Sequence, residues 1–240
     1  MENIAVKLTK VSKKFTFHHE RPTLMENIFS KKPKEEIWAL KDINLTVDRG
    51  ERLGIVGPNG SGKTTLLEII AAIASPTSGA VKTSGRVVSL IGLGAGFQAD
   101  LTGEENVFLN GLLIGMSKPE VKRKMKKIVE FADIGKFISA PFYTYSHGMA
   151  LRLGFSVAVH ADSEILLIDE IMAVGDEEFR EKSSKRIREF FLQGKTLIMV
   201  SHYLGFLSKI CDRAIWMDNG EIKEDGEIKR VIESYKQSVK

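Results

Sequence analysis

At 240 residues, with 43% hydrophobic and 28% charged side chains, the chain can form one large domain or two small ones, and its composition excludes most disordered or fibrous folds. Its 35 basic and 31 acidic residues leave a formal charge of +4, a mild excess that suits an anionic ligand or a lipid surface and does not require nucleic acid. The longest stretch free of Asp, Glu, Lys and Arg, Phe137 to Leu151, contains Ser, Thr, Pro, His and Gly and falls short of the ~18–20 apolar residues of a membrane span.

The N-terminus, Met1-Glu2-Asn3-Ile4-Ala5-Val6-Lys7, lacks a basic segment running into an apolar one, so a cytosolic chain is expected. Between Phe17 and Trp38 a polar stretch separates two early strands by more than a hairpin needs, and 18–36 reads as an insertion. Within it, Thr23 and Glu26 would cap a short amphipathic helix bearing Leu24, Ile28 and Phe29, packed on the core or offered to a partner. His18-His19 alone is weak evidence for a metal site.

Ile43 to Val47 and Arg52 to Val56 read as strands, the second leading through a glycine-rich turn into a helix over Thr64 to Ile70. Residues 98–161 carry little strand signal and form a helical subdomain, set between core segments 1–97 and 162–240. Thr102 to Met116 and Lys118 to Ala132 are its first helices. Ser117 and Glu120 make a capping box, with Pro119 inside the first turn. The second helix carries Lys122, Arg123, Lys124, Lys126 and Lys127; a solvated face is the ordinary reading of such a run, ahead of an anion or lipid-headgroup contact.

Ile165 to Ile168 and Thr196 to Val200 are unbroken apolar runs, as in strands buried on both faces, and end in Asp169-Glu170 and Ser201-His202. A closing helix is expected over Glu227 to Tyr235. The alternation predicts an α/β fold with a largely parallel sheet, whose ligands bind at the carboxyl ends of the strands. Cys211, the single cysteine, can make neither an intramolecular disulfide nor a cysteine zinc site and reads as a packing residue.

Gly57-Pro58-Asn59-Gly60-Ser61-Gly62-Lys63-Thr64 satisfies G-x-x-x-x-G-K-S/T between a predicted strand and a predicted helix. Glycines there let backbone N–H groups turn toward phosphate, and the helix N-terminus adds roughly half a positive charge. Lys63 should reach the β- and γ-phosphates and the Thr64 hydroxyl should ligate Mg²⁺, with Thr65 following in the same turn. Asp169 is placed to hold the Mg²⁺ shell, and Glu170 to orient or deprotonate the attacking water. Adjacent carboxylates at a buried strand end need a cation nearby, which Mg²⁺ and Lys63 would supply. Gly92 to Phe97 only mimics a dinucleotide fingerprint, because the last glycine would fall on Phe97.

Tyr145-Ser146-His147-Gly148-Met149 resembles the Leu-Ser-Gly-Gly-Gln signature of ATP-binding cassette (ABC) proteins, and it precedes a predicted helix. Gln98 looks like that family's Q-loop glutamine, Asp176 like its D-loop aspartate and His202 like its switch histidine, all in family order. The resemblance implies a P-loop NTPase (RecA-like) core with an antiparallel β subdomain and an inserted α-helical subdomain. It implies ATP and Mg²⁺ as cofactors, Gln98 in the metal shell and, with Lys63, Glu170 and His202, in catalysis. It also implies two copies sandwiching two ATP molecules, Ser146, His147 and Gly148 of one facing the phosphate held by Lys63 of the other. Phe15 is the best positional match for the adenine-stacking aromatic, with Phe17 and Trp38 as rivals, and each could equally be core.

Gly94 to Asn106, Tyr-Ser-x-Gly-Met in the signature, Ala173-Val174-Gly175-Asp176 and the 18–36 insertion are similar to cassettes that export O-antigen, capsule or teichoic acid. The implied cargo is a lipid-linked polysaccharide. The implied partners are a second copy of the chain and a multi-span permease, docked near Gln98 on the cytoplasmic face of the bacterial inner membrane. Against the other reading, a soluble cassette acting on nucleic acid or ribosomes, stand the lack of a second cassette, a long coiled coil or a concentrated basic tail. His147 departs from the family's small residue, and its imidazole could crowd the γ-phosphate or change the local charge near neutral pH.

Overall fold

The computed structural model describes residues 3–17, 35–94, 96–169 and 176–238. The 18–36 insertion falls almost wholly outside them, as do His18-His19, Glu170 and 171–175. The chain begins with β1 (Ile4–Phe17) and β2 (Glu35–Asp48), then β3 (Arg52–Val56), α1 (Lys63–Ile70), β4 (Ser78–Thr83) and β5 (Val87–Ser89). A helical stretch follows: α2 (Gly103–Leu113), α3 (Lys118–Ala132), two 3₁₀ turns at Gly135–Ser139 and Phe142–Thr144, and α4 (His147–His160). The chain then alternates β6 (Ile165–Asp169), α5 (Glu177–Leu192), β7 (Thr196–Val200), α6 (Leu204–Ile210), β8 (Arg213–Asp218), β9 (Glu221–Glu227) and α7 (Ile228–Ser238).

Two sheets result. β2-β1-β4 is antiparallel, and the larger sheet runs β5-β6-β7-β3-β8-β9, parallel except where β9 pairs antiparallel with β8. The apolar runs read as doubly buried strands are its central members. Alternate side chains go to opposite cores: Leu166, Ile168, Leu197 and Met199 point one way, toward Leu153 and Phe155 of α4 and Phe179 of α5. Ile165, Leu167, Ile198 and Val200 point the other way, onto Leu66 and Leu67 of α1 and the antiparallel sheet's Val6, Leu8 and Leu45. Each such buried aliphatic contributes roughly 1.5–3 kcal/mol, so both faces must stay covered for the central strands to hold.

Helix ends follow local chemistry. Thr102 is the cap of α2, in a reciprocal capping box with Glu105, rather than its first residue. The expected continuation to Met116 stops short because Gly115 takes φ +90°, the left-handed conformation that ends helices. At α3, Ser117 and Glu120 form the capping box that the spacing predicts. The closing helix begins one residue later than expected and runs on to Ser238.

The basic run on α3 divides. Lys124 is turned inward, 3.1 Å from Glu120 and 2.7 Å from Asp162, while Lys122, Arg123 and Lys127 are exposed, as a solvated face requires. Cys211 is 4% exposed within the core, and burial pushes its thiol up to about 12, against a smaller downward pull from Arg52. The packing reading of this residue holds.

Two outcomes follow from these environments. Replacing Ser117 with Ala removes half of the capping box and should cost about 1 kcal/mol, lowering the melting temperature by roughly 2–4 °C in a thermal scan. Cys211 should resist a thiol-specific reagent at neutral pH in the folded protein and react fully once the chain is denatured, since only the thiolate attacks; rapid labelling of the native chain would contradict the buried placement.

Candidate functional site: a phosphate cradle at the sheet's carboxyl edge

β3 runs into the turn Gly57–Ser61, and α1 begins at Lys63. Two glycines make the turn possible. Gly57 has φ +149° and a Cβ there would strike the Met217 carbonyl oxygen on β8; Gly62, the helix cap, has φ +100° and would strike the Ala39 carbonyl oxygen on β2. No other residue fits either position. The loop is thus wedged between the two sheets, with the Gly220 N–H donating to the Ser61 carbonyl at 3.1 Å.

The helix that leaves this loop has no side-chain cap and no acidic residue in its first turn. Its first N–H groups are therefore available to an anion, reinforced by the helix dipole. Lys63 is only 8% exposed, and its ammonium donates to the loop's own carbonyls, Gly57 O at 2.9 Å and Pro58 O at 2.7 Å. Those acceptors are neutral, so a charged phosphate oxygen competes well for the same protons. Ser61 Oγ is buried and has no hydrogen-bond partner among the described residues, a polar atom left for a ligand.

β6 ends as its apolar run meets Asp169, whose Oδ2 accepts a 2.8 Å hydrogen bond from the Thr64 hydroxyl. These are two hard oxygen donors side by side, the set that Mg²⁺ prefers when phosphate completes its shell. Among the described residues no three His, Cys, Asp or Glu side chains converge on a metal site, so an ion here would depend on the nucleotide's oxygens. A cavity of about 540 Å³ collects Asn59, Gly60, Lys63, Thr64, Asp169 and His202, with Gly62 and Thr65 on the same wall and Ala39 and Val200 beside them. That volume lies in the usual range for small-molecule sites.

The structure gathers the P-loop, Asp169 and His202, and leaves other expected residues elsewhere. Ser146 caps α4 through its Oγ, which accepts from the Met149 N–H at 3.2 Å, and Ser146 and His147 are exposed at that helix end, outside the cavity. Asp176 caps α5, accepting from the Phe179 N–H at 2.9 Å. Gln98, exposed on the loop before α2, does not line the cavity. Phe15 is 39% exposed, pairs across the strands with Ile37 and does not line the cavity; Trp38 pairs with Lys14, and a register shift separates it from Leu40, so the cavity-lining Ala39 sits at a bulge. Glu170 and the side chain of Phe17 lie outside the described residues. Gly92, from the rejected fingerprint, lines the same cavity.

Two residues that the motifs do not single out carry much of the wiring. Arg152 on α4 donates to the Ala132 carbonyl at 2.9 Å, pairs with Asp133 at 3.0 Å and Asp176 at 3.3 Å, and lies 4.8 Å over the Phe179 ring. Asn106, wholly buried in α2, bonds the backbone of the Gln98 loop. Arg152 has no local sequence signal, because its partners are distant, and Asn106, though it closes the quoted Gly94 to Asn106 stretch, shows no role there because its partners are backbone atoms.

A strand–glycine loop–helix cradle with a carboxylate on the next strand but one of the same parallel sheet defines a P-loop nucleotide-binding protein. Residues 40–173 match the family described as ABC transporter. The O-antigen export system ATP-binding protein RfbB of Klebsiella pneumoniae is 40% identical over 98% of both chains. The protein of the same name from Myxococcus xanthus is 46% identical over 85% of this chain, which spans 46% of that relative's length. The teichoic acids export ATP-binding protein TagH of Listeria innocua is 42% identical over all of this chain and 72% of the relative. Among solved structures, the dimeric cassette MJ0796 in a post-hydrolysis state with ADP and Pi superposes with a TM-score of 0.72 at 24% identity, over 93% of this chain and 98% of that one, a likeness of fold. The chain belongs to the ABC transporter family, and its chemistry is that of an ATPase.

Removing the Lys63 ammonium by substitution with Ala should weaken ATP binding itself, by on the order of tenfold or more for loss of a charge-assisted phosphate contact. Titration with a fluorescent ATP analogue measures this, and unchanged affinity would remove Lys63 from the phosphate site.

Proposed function

We propose that the chain is the ATP-hydrolysing motor of a transporter that exports a lipid-linked cell-surface polysaccharide, an O-antigen, capsule or teichoic acid, across the bacterial cytoplasmic membrane. The supporting observation is that the residues expected to contact one phosphate lie in two separate places. Lys63, Thr64, Asp169 and His202 share one cavity, while the signature's helix terminus stands outside it, with Ser146 and His147 exposed and Gly148 half-buried. Two copies arranged head to tail would complete each site, with the N–H groups of one α4 directed at the phosphate held by Lys63 of the other. ATP then contributes to both halves of the interface and favours the closed dimer; hydrolysis removes the bridge.

Within each site the roles divide by chemistry. Thr64 and Asp169 would hold the Mg²⁺ shell, joined by Gln98 once its loop moves in, Glu170 would orient and deprotonate water, and His202 would contact the γ-phosphate from the end of β7. Phe15, exposed on β1, would stack on adenine. Asp176 follows Glu170 at the dimer interface. His147 adds an imidazole at the signature where the family has a small side chain.

No helix of the described residues is long and apolar enough to cross a membrane, so a channel must come from a permease. An apolar groove of about 450 Å³ on α2, floored by Leu101, Phe108, Leu109 and Leu112 and rimmed by Glu104 and Glu105, begins three residues from Gln98. It suits a cytoplasmic permease helix carrying apolar and basic side chains, which would hold the chain at the inner face of the membrane. The names of the relatives support the polysaccharide cargo.

Glu170→Gln should abolish steady-state ATP hydrolysis and preserve ATP-induced dimers in size-exclusion chromatography, because water activation is lost and phosphate binding is not. Unchanged turnover would refute the role given to Glu170. For the cargo, expressing that variant in place of the native chain should leave the lipid-linked glycan on the cytoplasmic side of the membrane; normal surface glycan would refute export.

A further inference from the structure

Gln98 is exposed, yet its backbone is held at both ends by one buried side chain. Asn106, on the first turns of α2, accepts a 2.7 Å hydrogen bond at Oδ1 from the Gln98 N–H. Its Nδ2 donates to the Gln98 carbonyl at 3.0 Å, to Leu101 O at 3.2 Å and to Thr102 O at 3.0 Å. The amide's donors and acceptor are all spent on main chain, in a residue with no exposed surface. Such a bond set fixes where the glutamine side chain starts and leaves its tip free to reach a ligand.

The same loop is zipped to the segment that leads into the signature. The Phe142 N–H donates to Leu101 O at 2.8 Å, the Tyr143 N–H to Ala99 O at 3.0 Å, and Thr102 bridges Pro141. Aromatic rings close the other side: Phe97 meets Phe142 edge-on at 4.8 Å, and Phe142 lies 5.0 Å from Tyr145. The Tyr145 hydroxyl donates to Phe137 O at 2.7 Å, tying down the residue before Ser146. Backbone pairing of 99–102 with 141–143 leaves little freedom for one loop to shift without the other.

We infer that Asn106 is the positioning residue for Gln98, and that through this two-stranded strip Gln98 and Ser146 are carried as one rigid piece, so that a displacement at the glutamine reaches the partner copy's nucleotide. The inference rests on the catalytic reading of Gln98 given above. Asn106 touches neither nucleotide nor metal; it acts through the loop it holds. An Ala in its place would remove the acceptor of the Gln98 N–H and one of the donors to the Gln98, Leu101 and Thr102 carbonyls, and an Asp would set a carboxylate against those three carbonyls.

The test uses the full chain and steady-state ATP hydrolysis by Gln98→Ala, Asn106→Ala, Asn106→Asp and the Gln98→Ala/Asn106→Ala double variant. Each single variant should lower kcat on the order of tenfold, as expected for misplacement of a positioned group, with little change in KM. The double variant should be no slower than the slower single, since both remove one function. If Gln98→Ala is impaired while Asn106→Ala is not, or if the two losses multiply, the Asn106 assignment falls and the role of Gln98 stands. If Gln98→Ala has native kcat, the reading of Gln98 falls and takes the inference with it. Should Asn106→Ala not fold, hydrogen exchange of the native chain decides: residues 98–102 and 141–145 should gain protection together on binding a non-hydrolysable ATP analogue, and protection confined to one segment overturns the coupling.

Discussion

One row of the large sheet sets the geometry on which the rest depends. Val200 on β7 is in register with Ile55 on β3 and with Asp169 on β6. With neighbouring strands about 4.8 Å apart, that row delivers the start of the phosphate loop, the metal-side carboxylate and the approach to His202 to one edge. Because side chains alternate with a period of two, a slip of one residue would turn Asp169 into a core and bring an apolar neighbour to the site. Burial on both faces forbids the slip: Ile165, Leu167, Leu166 and Ile168 are each committed to one of two cores. The site's precision is thus a by-product of packing.

That edge brings together an uncapped helix N-terminus, a buried ammonium and a carboxylate. α1 has neither a side-chain cap nor an acid in its first turn, and the buried Lys63 donates to the Gly57 and Pro58 carbonyls. Four other helices carry side-chain caps, Thr102, Ser117, Ser146 and Asp176 each accepting a backbone N–H, whereas the short α6, like α1, has none. What sets α1 apart from α6 is the glycine loop and the buried Lys63 at its start, which make its uncapped end suited to an anion. The exposed end of α4 repeats the theme with a neutral cap, presenting N–H groups outward toward a phosphate that the proposed second copy would hold.

Legibility in the sequence tracked the range of the interaction. The phosphate loop, the capping boxes of α2 and α3 and the doubly buried strands depend on neighbours within a few residues, and their patterns are plain along the chain. Helix boundaries missed by a residue or more, as at Thr102 and Gly115, turned on a cap and on a left-handed glycine. Arg152 gave no signal: its partners Ala132, Asp133, Asp176 and Phe179 come from α3 and α5, and no spacing announces such a meeting. The role of Asn106 was similarly silent, because hydrogen bonds to main-chain atoms leave no partner side chain to recognise. Lys124 shows the converse, a residue in a basic run that tertiary contacts with Glu120 and Asp162 withdraw from the solvated face.

The sequence by itself determined the class of chemistry, because a glycine loop that must take left-handed conformations and a lysine at the start of a helix are requirements of the local backbone. It also determined the alternation that makes a parallel sheet, since apolar runs of that length are stable only when covered on both sides. Only the tertiary structure decided which polar groups share a cavity. Thr64 meets Asp169, and His202 joins them, through strand register. Gln98 is pinned by Asn106, and the signature's helix end stays outside the cavity, through side chains and backbone atoms whose separation along the chain carries no information about their distance in space.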